Sequence, residues 1–483
     1  MSGRHPRSER DPLDLQGLVE YVAERVTPHP DEYRRVNAVI DEVLWRVRGA
    51  LEAHRIEATV TLEGSVAKDT WLSGEADVDV FVQVSPLKDK GFLEAACLPA
   101  IRDSLKGYTM VERYAEHPYI EAYVKDVRIN VVPCFRVERG EWLSAADRTP
   151  YHTGYMKEKL TPALRREVRI LKRLMKGSGL YGAEAKVRGF SGLLCELLTL
   201  NYGSFLDLVK AASRWRRREL IDVEGYYQGR ESDALKIFPE PLIVVDPVDP
   251  YRNTAAAVHE DTMWGFISVS RLLLERPNIR FFYPEALSLE EASIMDSLGK
   301  AGGNLLVLDV GVVDAVVDVV WSQLYKAEKV LRRLLIDAGF KVIRSTAWSS
   351  PDNRCLIFFK LESVELPPTY RHIGPPVEMM GDSDKFLGRH LKAVDTAAGP
   401  WIEDGRWIAE KLRRYRRADR LIAEKLADGG GSIGIPSKVC ESLKKGFRVI
   451  LNEEASALAE IPGALEEAYR FLSGRPIWLD AAL

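Results

Sequence analysis

The run Glu63-Gly64-Ser65-Val66-Ala67-Lys68-Asp69-Thr70-Trp71-Leu72-Ser73-Gly74-Glu75-Ala76-Asp77-Val78-Asp79-Val80-Phe81 decides how this chain is read. Gly64-Ser65 follows the apolar, β-branched stretch 58–62, so it stands where a strand ends and a helix or turn begins. Further along, Asp77 and Asp79 flank Val78 and lead into Val80, Phe81 and Val82, a short strand. Strand side chains alternate, so residues i and i+2 share a face and the two carboxylates stand side by side. Like charges held that close need a cation between them. Mg²⁺ is the simplest, because it is bound by one or two carboxylates together with substrate phosphates. Gly64 lets a backbone approach closely, and the Ser65 hydroxyl with nearby N–H groups can hold a phosphate. A phosphate grip beside a metal pair implies nucleotidyl transfer. The plainer reading is two aspartates in a surface hairpin after an ordinary turn. It suits an isolated Asp-x-Asp better than one with Gly-Ser at this spacing.

Bulk properties narrow the field. A chain of 483 residues has room for about three domains. With 46% hydrophobic and 29% charged residues it has an ordinary globular composition. The net charge of −3 leaves no global basicity, so any RNA surface must be local. The five cysteines lack Cys-x-x-Cys spacing, which argues against a zinc site or a disulfide framework and fits a reducing cytoplasm. The N-terminal residues are polar and unlike a signal peptide. The most apolar run, 304–321, contains Asp309, Asp314 and Asp318, which excludes a membrane span there.

Apolar spacing predicts helices over 15–26 and 31–54, a strand at 58–62, and a short helix over 99–106. Strands follow at 120–125 and 127–132, with Val127, Ile129 and Val131 on one face and Arg128, Asn130 and Val132 on the other. Helices are expected over 162–176, 192–202 and 261–274. The basic cluster Arg214-Trp215-Arg216-Arg217-Arg218 reads either as a solvated helix face with one core Trp or as a phosphate-backbone contact. A strand at 304–309, a long helix over 312–338 and strands at 341–346 and 355–362 suggest a ferredoxin-like module. The spacing further predicts a helix over 407–427 that carries Lys411, Arg413, Arg414, Arg416, Arg417 and Arg420, and helices over 437–446 and 453–472.

The first half, a helix-then-sheet block with functional residues on neighbouring strands, resembles the palm of the polymerase-beta-type nucleotidyltransferase superfamily. Further stretches narrow the likeness. They are Arg113-Tyr114-Ala115-Glu116-His117-Pro118-Tyr119, Val131-Val132-Pro133-Cys134-Phe135, Ala146-Asp147-Arg148-Thr149-Pro150-Tyr151-His152, Tyr181-Gly182-Ala183-Glu184 with Lys186 to Gly192, and Asp246-Pro247-Val248-Asp249 followed by Arg252-Asn253. In this order they resemble the archaeal, class I CCA-adding enzymes, which are tRNA nucleotidyltransferases. The likeness is dense over 60–255 and fainter beyond. It implies a multidomain α+β fold: a palm over 1–155, a mainly helical nucleotide- and tRNA-binding part over 156–270, and a C-terminal body and tail over 271–483.

The resemblance also implies roles. Asp77 and Asp79 would bind Mg²⁺, and Gly64, Ser65 and Lys68 would hold the β- and γ-phosphates, with Lys68 a point charge where the family commonly has a forked Arg. His117, Thr149 and His152 would lie near the sugar and triphosphate, and Lys172 and Tyr181 against the triphosphate. Arg252, with Asn253, would read the base. Judged alone, each of these histidines is more readily a structural side chain, and Arg252 a partner of Asp246 or Asp249. Arg214, Arg216, Arg217 and Arg218, with Arg413, Arg414, Arg416 and Arg417, are the expected tRNA contacts. The implied substrates are tRNA, CTP and ATP, without a membrane, in a cytoplasmic homodimer. A poly(A) polymerase shares such a palm, but the Arg-Thr-Pro-Tyr-His and Asp-Pro-Val-Asp stretches point to the CCA branch.

One departure stands out. The family carries a third carboxylate on the strand before Val-Val-Pro-Cys, where this chain has Asn130. That carboxylate ligates metal and helps activate the attacking hydroxyl; Asn is nearly isosteric but neutral. The loss is worth several kcal/mol of transition-state stabilisation, and about 1.4 kcal/mol is tenfold in rate. Asp126, four residues back and roughly 13 Å away, cannot replace it. Asn130 thus marks an inactivated or weakened form. It is read as a change that traps a substrate complex, as natural tolerance of weaker chemistry, or as the mark of a non-catalytic tRNA 3′-end-binding protein. The intactness of the remaining site favours the first.

Overall fold

In the computed structural model, described over residues 14–114, 118–285 and 304–480, the chain divides into two compact units, Met1–Ala286 with Pro476–Leu483, and Leu287–Arg475. The first opens with helices Leu15–Val26 and Pro30–Ala53, the latter capped by His29 and Glu32. Strands β1 (Ala58–Glu63), β2 (Asp77–Val84), β3 (Thr109–Tyr114), β4 (Pro118–Val124) and β5 (Val127–Phe135) form one sheet in the order β1-β2-β5-β4-β3. Only β2 and β5 run parallel. The crossover between β2 and β5 passes through the helix Leu98–Ser104 and the β3–β4 hairpin. Alternation gives the sheet two faces. Val78, Val80, Ile129 and Val131 are fully buried against the helix Pro30–Ala53, and Asp77, Asp79, Arg128 and Asn130 lie on the opposite face.

A second core of the same unit gathers helices Pro162–Gly177, Gly192–Tyr202, Phe205–Ala212 and Glu260–Glu275 with the first helix. Its two short parallel strands are β6 (Glu219–Ile221) and β7 (Leu242–Val244). The helix over Phe205–Ala212 stops before the basic cluster, which corrects the helix-face reading of Arg214 to Arg218. These residues form a turn in which Trp215 is buried and the four arginines are exposed.

The second unit contains β8 (Leu305–Val312), the helix Val317–Asp337, β9 (Val342–Ser349) and β10 (Arg354–Leu361). Next come β11 (Thr369–Pro376), the helix Met380–His390, β12 (Thr396–Glu403) and β13 (Arg406–Leu412). The unit ends with helices Ala418–Leu426 and Ser437–Lys445, β14 (Arg448–Leu451) and the helix Ala464–Ser473. The antiparallel order β14-β8-β10-β9 is the ferredoxin-like one expected, with β14, not read in the sequence, as its fourth strand. Both faces of this sheet are covered. Leu305 and Val307 enter one core, and Leu306, Leu308 and Val310 enter another, so β8 opens as an unbroken apolar run over its first four residues.

Several boundaries differ from the sequence reading. The long helix starts at Val317 because Leu305–Val312 is a strand. The expected helix over 453–472 is a 3₁₀ segment, Asn452–Glu460, and then an α-helix, separated at Ile461-Pro462-Gly463. The largest correction concerns the expected helix over 407–427. Asp404 and Gly405 both take φ > 0 (48° and 73°) and form a two-residue turn that pairs Glu403 with Arg406. The following residues become β13, the centre of the sheet β11-β13-β12, and only Ala418–Leu426 is helical. Arg413 to Arg417 are therefore a loop.

Among the described residues no single helix is long and apolar enough to cross a membrane. Cys97, Cys134, Cys195 and Cys355 are buried free thiols.

At the end of the helix Pro162–Gly177, a Cβ on Gly177 would lie 2.3 Å from the Phe281 carbonyl oxygen and 2.4 Å from that of Phe282. Gly177→Ala is therefore expected to cost about 1–3 kcal/mol of unfolding free energy, read from the midpoint of a urea titration.

Candidate active site

Strand β1 ends at Glu63 and Gly64 starts a single helical turn with φ +72°. A Cβ on Gly64 would lie 2.0 Å from Asp79 Oδ2, so only glycine lets this turn sit over the carboxylate. Ser65 is half-buried, and its carbonyl accepts from Thr70 N–H at 2.9 Å, which closes the turn. Asp77 and Asp79 share one face of β2, as read from the sequence.

Registers place partners for both. Arg128 lies opposite Asp77, and its Nε donates to Oδ1 at 2.8 Å while Nη2 donates to Oδ2. Asn130 lies opposite Asp79 and donates Nδ2 to Oδ1 at 3.0 Å. Burial pushes the Asp79 carboxyl up to about 6 against that hydrogen bond, and the Asp77 charge adds to the rise. Glu63 and Glu121 extend the same row, opposite Asp79 and Asn130 respectively. Glu63 Oε2 is buried without a hydrogen-bond partner, and Glu121 accepts from Arg113 at 3.0 Å.

Among the described residues no group of three or more His, Cys, Asp or Glu is arranged to hold a metal ion. The pair Asp77 and Asp79 still fits Mg²⁺ chemically: two hard oxygen donors on one face, with the Gly64 turn close over Asp79.

A second cluster links the two cores. Glu196, fully buried on the helix Gly192–Tyr202, accepts from Lys68 Nζ at 2.5 Å, Thr70 Oγ1 at 2.6 Å and Lys172 Nζ at 3.1 Å. Lys172 Nζ also donates to Thr70 O at 3.1 Å. A Cβ on Gly192 would approach the Tyr181 hydroxyl at 3.1 Å and Lys172 Nζ at 3.6 Å, so these two groups converge there. Lys68, Lys172 and Tyr181, three expected phosphate contacts, are thus brought together around a carboxylate that sequence reasoning missed. Burial alone would raise the Glu196 carboxyl, but the two ammonium groups outweigh it and hold it at about 2.

A third cluster surrounds Asp246, which is fully buried. Its oxygens lie 2.8 and 3.0 Å from His152 Nε2, and Oδ2 accepts from Arg252 Nη1 at 2.6 Å. Arg148 pairs with Asp249 at 3.0 Å. The pairing of Arg252 is the plainer reading of that residue; it also fixes a half-exposed guanidinium in place. Thr149 begins the helix that carries His152.

Asn253 departs from expectation. It is 4% exposed; its Oδ1 accepts from Val244 and Ala255 N–H, and its Nδ2 donates to Leu242 O and Glu240. All four positions of its amide are spent on holding the loop. His117 lies outside the described residues. Of the basic cluster, Arg218 donates to the Phe238 carbonyl at 2.8 Å and Arg217 pairs with Glu260 at 3.3 Å. In the second unit Arg414, Arg416 and Arg417 pair with Glu424, Glu365 and Asp419, and Arg413 stacks over Tyr370.

Two outcomes test this geometry. Glu196→Gln leaves two buried ammonium groups without a counter-charge and is expected to cost about 3–5 kcal/mol. Because the folded value lies below the ordinary 4.5, the Glu196 contribution is fully present above that value and lost as pH falls towards about 2. Stability of the variant should therefore fall less steeply across that window in acid titrations. Asp79 has the opposite sign: its contribution is present below about 3.8 and lost as pH rises through about 6. In metal-free buffer, Asp79→Asn is expected to melt higher than the unaltered chain at pH 8, with the difference gone at pH 4.

Three family profiles match the chain: a nucleotidyltransferase domain over 44–153, the second domain of tRNA nucleotidyltransferase over 166–283, and the C-terminal domain of the CCA-adding enzyme over 302–452. The CCA-adding enzyme of Methanosarcina barkeri is 35% identical over 443 residues, covering 91% of this chain and 94% of that one. That of Pyrobaculum neutrophilum is 37% identical over 420 residues, covering 86% and 95%. A solved structure of the Cid1 poly(U) polymerase aligns with a TM-score of 0.43 at 13% identity, covering 55% of this chain and 96% of that one. With relatives above 30% identity spanning nearly its whole length, the chain belongs to the archaeal CCA-adding enzyme family of tRNA nucleotidyltransferases.

Proposed function

We propose that the chain adds C, C and A to the 3′ end of tRNA without a nucleic-acid template, using CTP and ATP, at a rate lowered by Asn130. The observation that carries this reading is the shared face of β2 and β5, where Asp77 and Asp79 lie beside the Gly64 turn and Asn130 bonds to Asp79. In the reaction the terminal 3′-hydroxyl oxygen forms a bond to the α-phosphorus, the bond from that phosphorus to the α–β bridging oxygen breaks, pyrophosphate leaves with that oxygen, and the hydroxyl proton passes to solvent water. Mg²⁺, when bound by Asp77 and Asp79, supplies charge stabilisation at the attacking and leaving oxygens.

The chain's own residues do the rest. Ser65 and the N–H groups of the turn hold the phosphates, and Lys68, Lys172 and Tyr181 meet the triphosphate, the two lysines positioned by Glu196. Thr149 and His152 stand near the sugar. Arg252, held by Asp246, reads the base edge; a base that offers it no acceptor forgoes that hydrogen bond, which is how such sites discriminate. Arg214 and Arg216, exposed beside buried Trp215, meet the tRNA backbone, together with Arg217, Arg218 and the loop Arg413 to Arg417. The palm over 1–155, the helical part over 156–270 and the remainder over 271–483 divide catalysis, nucleotide binding and tRNA binding between them. A cytoplasmic homodimer is the proposed working form.

A second reading, a tRNA 3′-end-binding protein without turnover, is favoured by Asn130 and by the Arg128–Asp77 pair. Labelled CTP and ATP, offered with Mg²⁺ and tRNA lacking its CCA end, separate the two. The unaltered chain is expected to incorporate both slowly and Asn130→Asp about a hundredfold faster. No incorporation by either form, with tRNA binding intact, would leave only the binding protein.

A further inference from the structure

The parallel register of β2 and β5 sets Arg128 against Asp77 as it sets Asn130 against Asp79. The Arg128 fork covers both oxygens of Asp77, with Nε at 2.8 Å from Oδ1 and Nη2 on Oδ2. The pair is half-exposed, in the wall of a cavity of about 380 Å³ that Arg35, Tyr123 and Lys176 also line. Each carboxylate proposed to hold Mg²⁺ is therefore already met by a donor from β5. A divalent ion that took an oxygen of Asp77 would lie next to a guanidinium that stays charged at every working pH. It must displace that group or be held weakly. A nucleoside triphosphate shifts the balance, because two of its phosphate oxygens offer the released planar fork a bidentate anionic partner.

We propose that Arg128 is the resident cation of this face: it neutralises Asp77 while nucleotide is absent, and a divalent ion takes Asp77 only together with a nucleoside triphosphate. The proposal rests on the metal role given to Asp77 above. It makes Arg128 a positioning residue that sets the order of loading and keeps the empty site from collecting metal.

The test is Mn²⁺ binding to the full chain, followed by electron paramagnetic resonance of the free ion, with tRNA absent so that no turnover occurs. Arg128→Gln, without nucleotide, is expected to bind Mn²⁺ at least tenfold more tightly than the unaltered chain, within the range by which partners of metal ligands alter affinity. Arg128→Met, which keeps the apolar stem, should do the same and guards against a folding defect in the first variant. Asp77→Asn in either background should abolish the gain. Mn²⁺ affinity in both arginine variants equal to or weaker than that of the unaltered chain would overturn the proposal. Nucleotide incorporation is scored separately. A chain that adds CTP but shows no gain on losing Arg128 keeps the enzyme reading and loses this one. A chain that shows the gain and adds nothing does the reverse.

Discussion

Two carboxylates fixed two residues apart on one face of a strand are the constraint around which this molecule is built. Like charges at that spacing oppose pairing into a sheet, and the surrounding groups can be understood as answers to that cost. Arg128 forks onto Asp77, Asn130 donates to Asp79, and Gly64 leaves the space that Asp79 Oδ2 occupies. The opposite face bears the load: Val78, Val80, Ile129 and Val131 are fully buried against the helix Pro30–Ala53. The apolar side of the strand holds the acidic side in position.

A second constraint joins the palm to the helical core behind it. Lys68 belongs to the turn after β1, Lys172 and Glu196 to two helices of the other core, and all three meet out of water. Two lysines and one carboxylate meet in a low-dielectric place, where burial lowers the pKa of the Lys172 ammonium and Glu196 opposes that fall, an arrangement suited to a phosphate chain. Such a network is stable only while every member is present, since removing one leaves charge buried and unpaired. The same contacts therefore serve the fold and the site.

Much of this was legible in the sequence where the signal was local. The alternation of β2 and β5 and the glycine after β1 placed the candidate face, and the ordered motifs from Arg113 to Asn253 placed the family. What was not legible depended on tertiary register. Arg128 meets Asp77 only because β2 and β5 run parallel after a long crossover, and Glu196 sits in a helix whose apolar run hides it. Asn253 reads as a polar residue beside Arg252, the expected base reader, yet its amide is consumed by the loop it closes. The basic residues from Lys411 to Arg420 imitate a helical face by spacing. The Asp404-Gly405 turn overrides that spacing and turns the first of them into a strand.

The central proposal is that Asn130 limits the chemical step and leaves binding alone, because its amide bonds Asp79 while Lys68 and Lys172 bond Glu196. The most direct measurement separates the two: equilibrium CTP affinity beside the single-turnover rate, for the unaltered chain and for Asn130→Asp. The account predicts dissociation constants within about threefold and rates at least tenfold apart, a difference of about 1.4 kcal/mol or more in the barrier. Equal rates with shifted affinity would contradict it and would place the role of residue 130 in substrate binding.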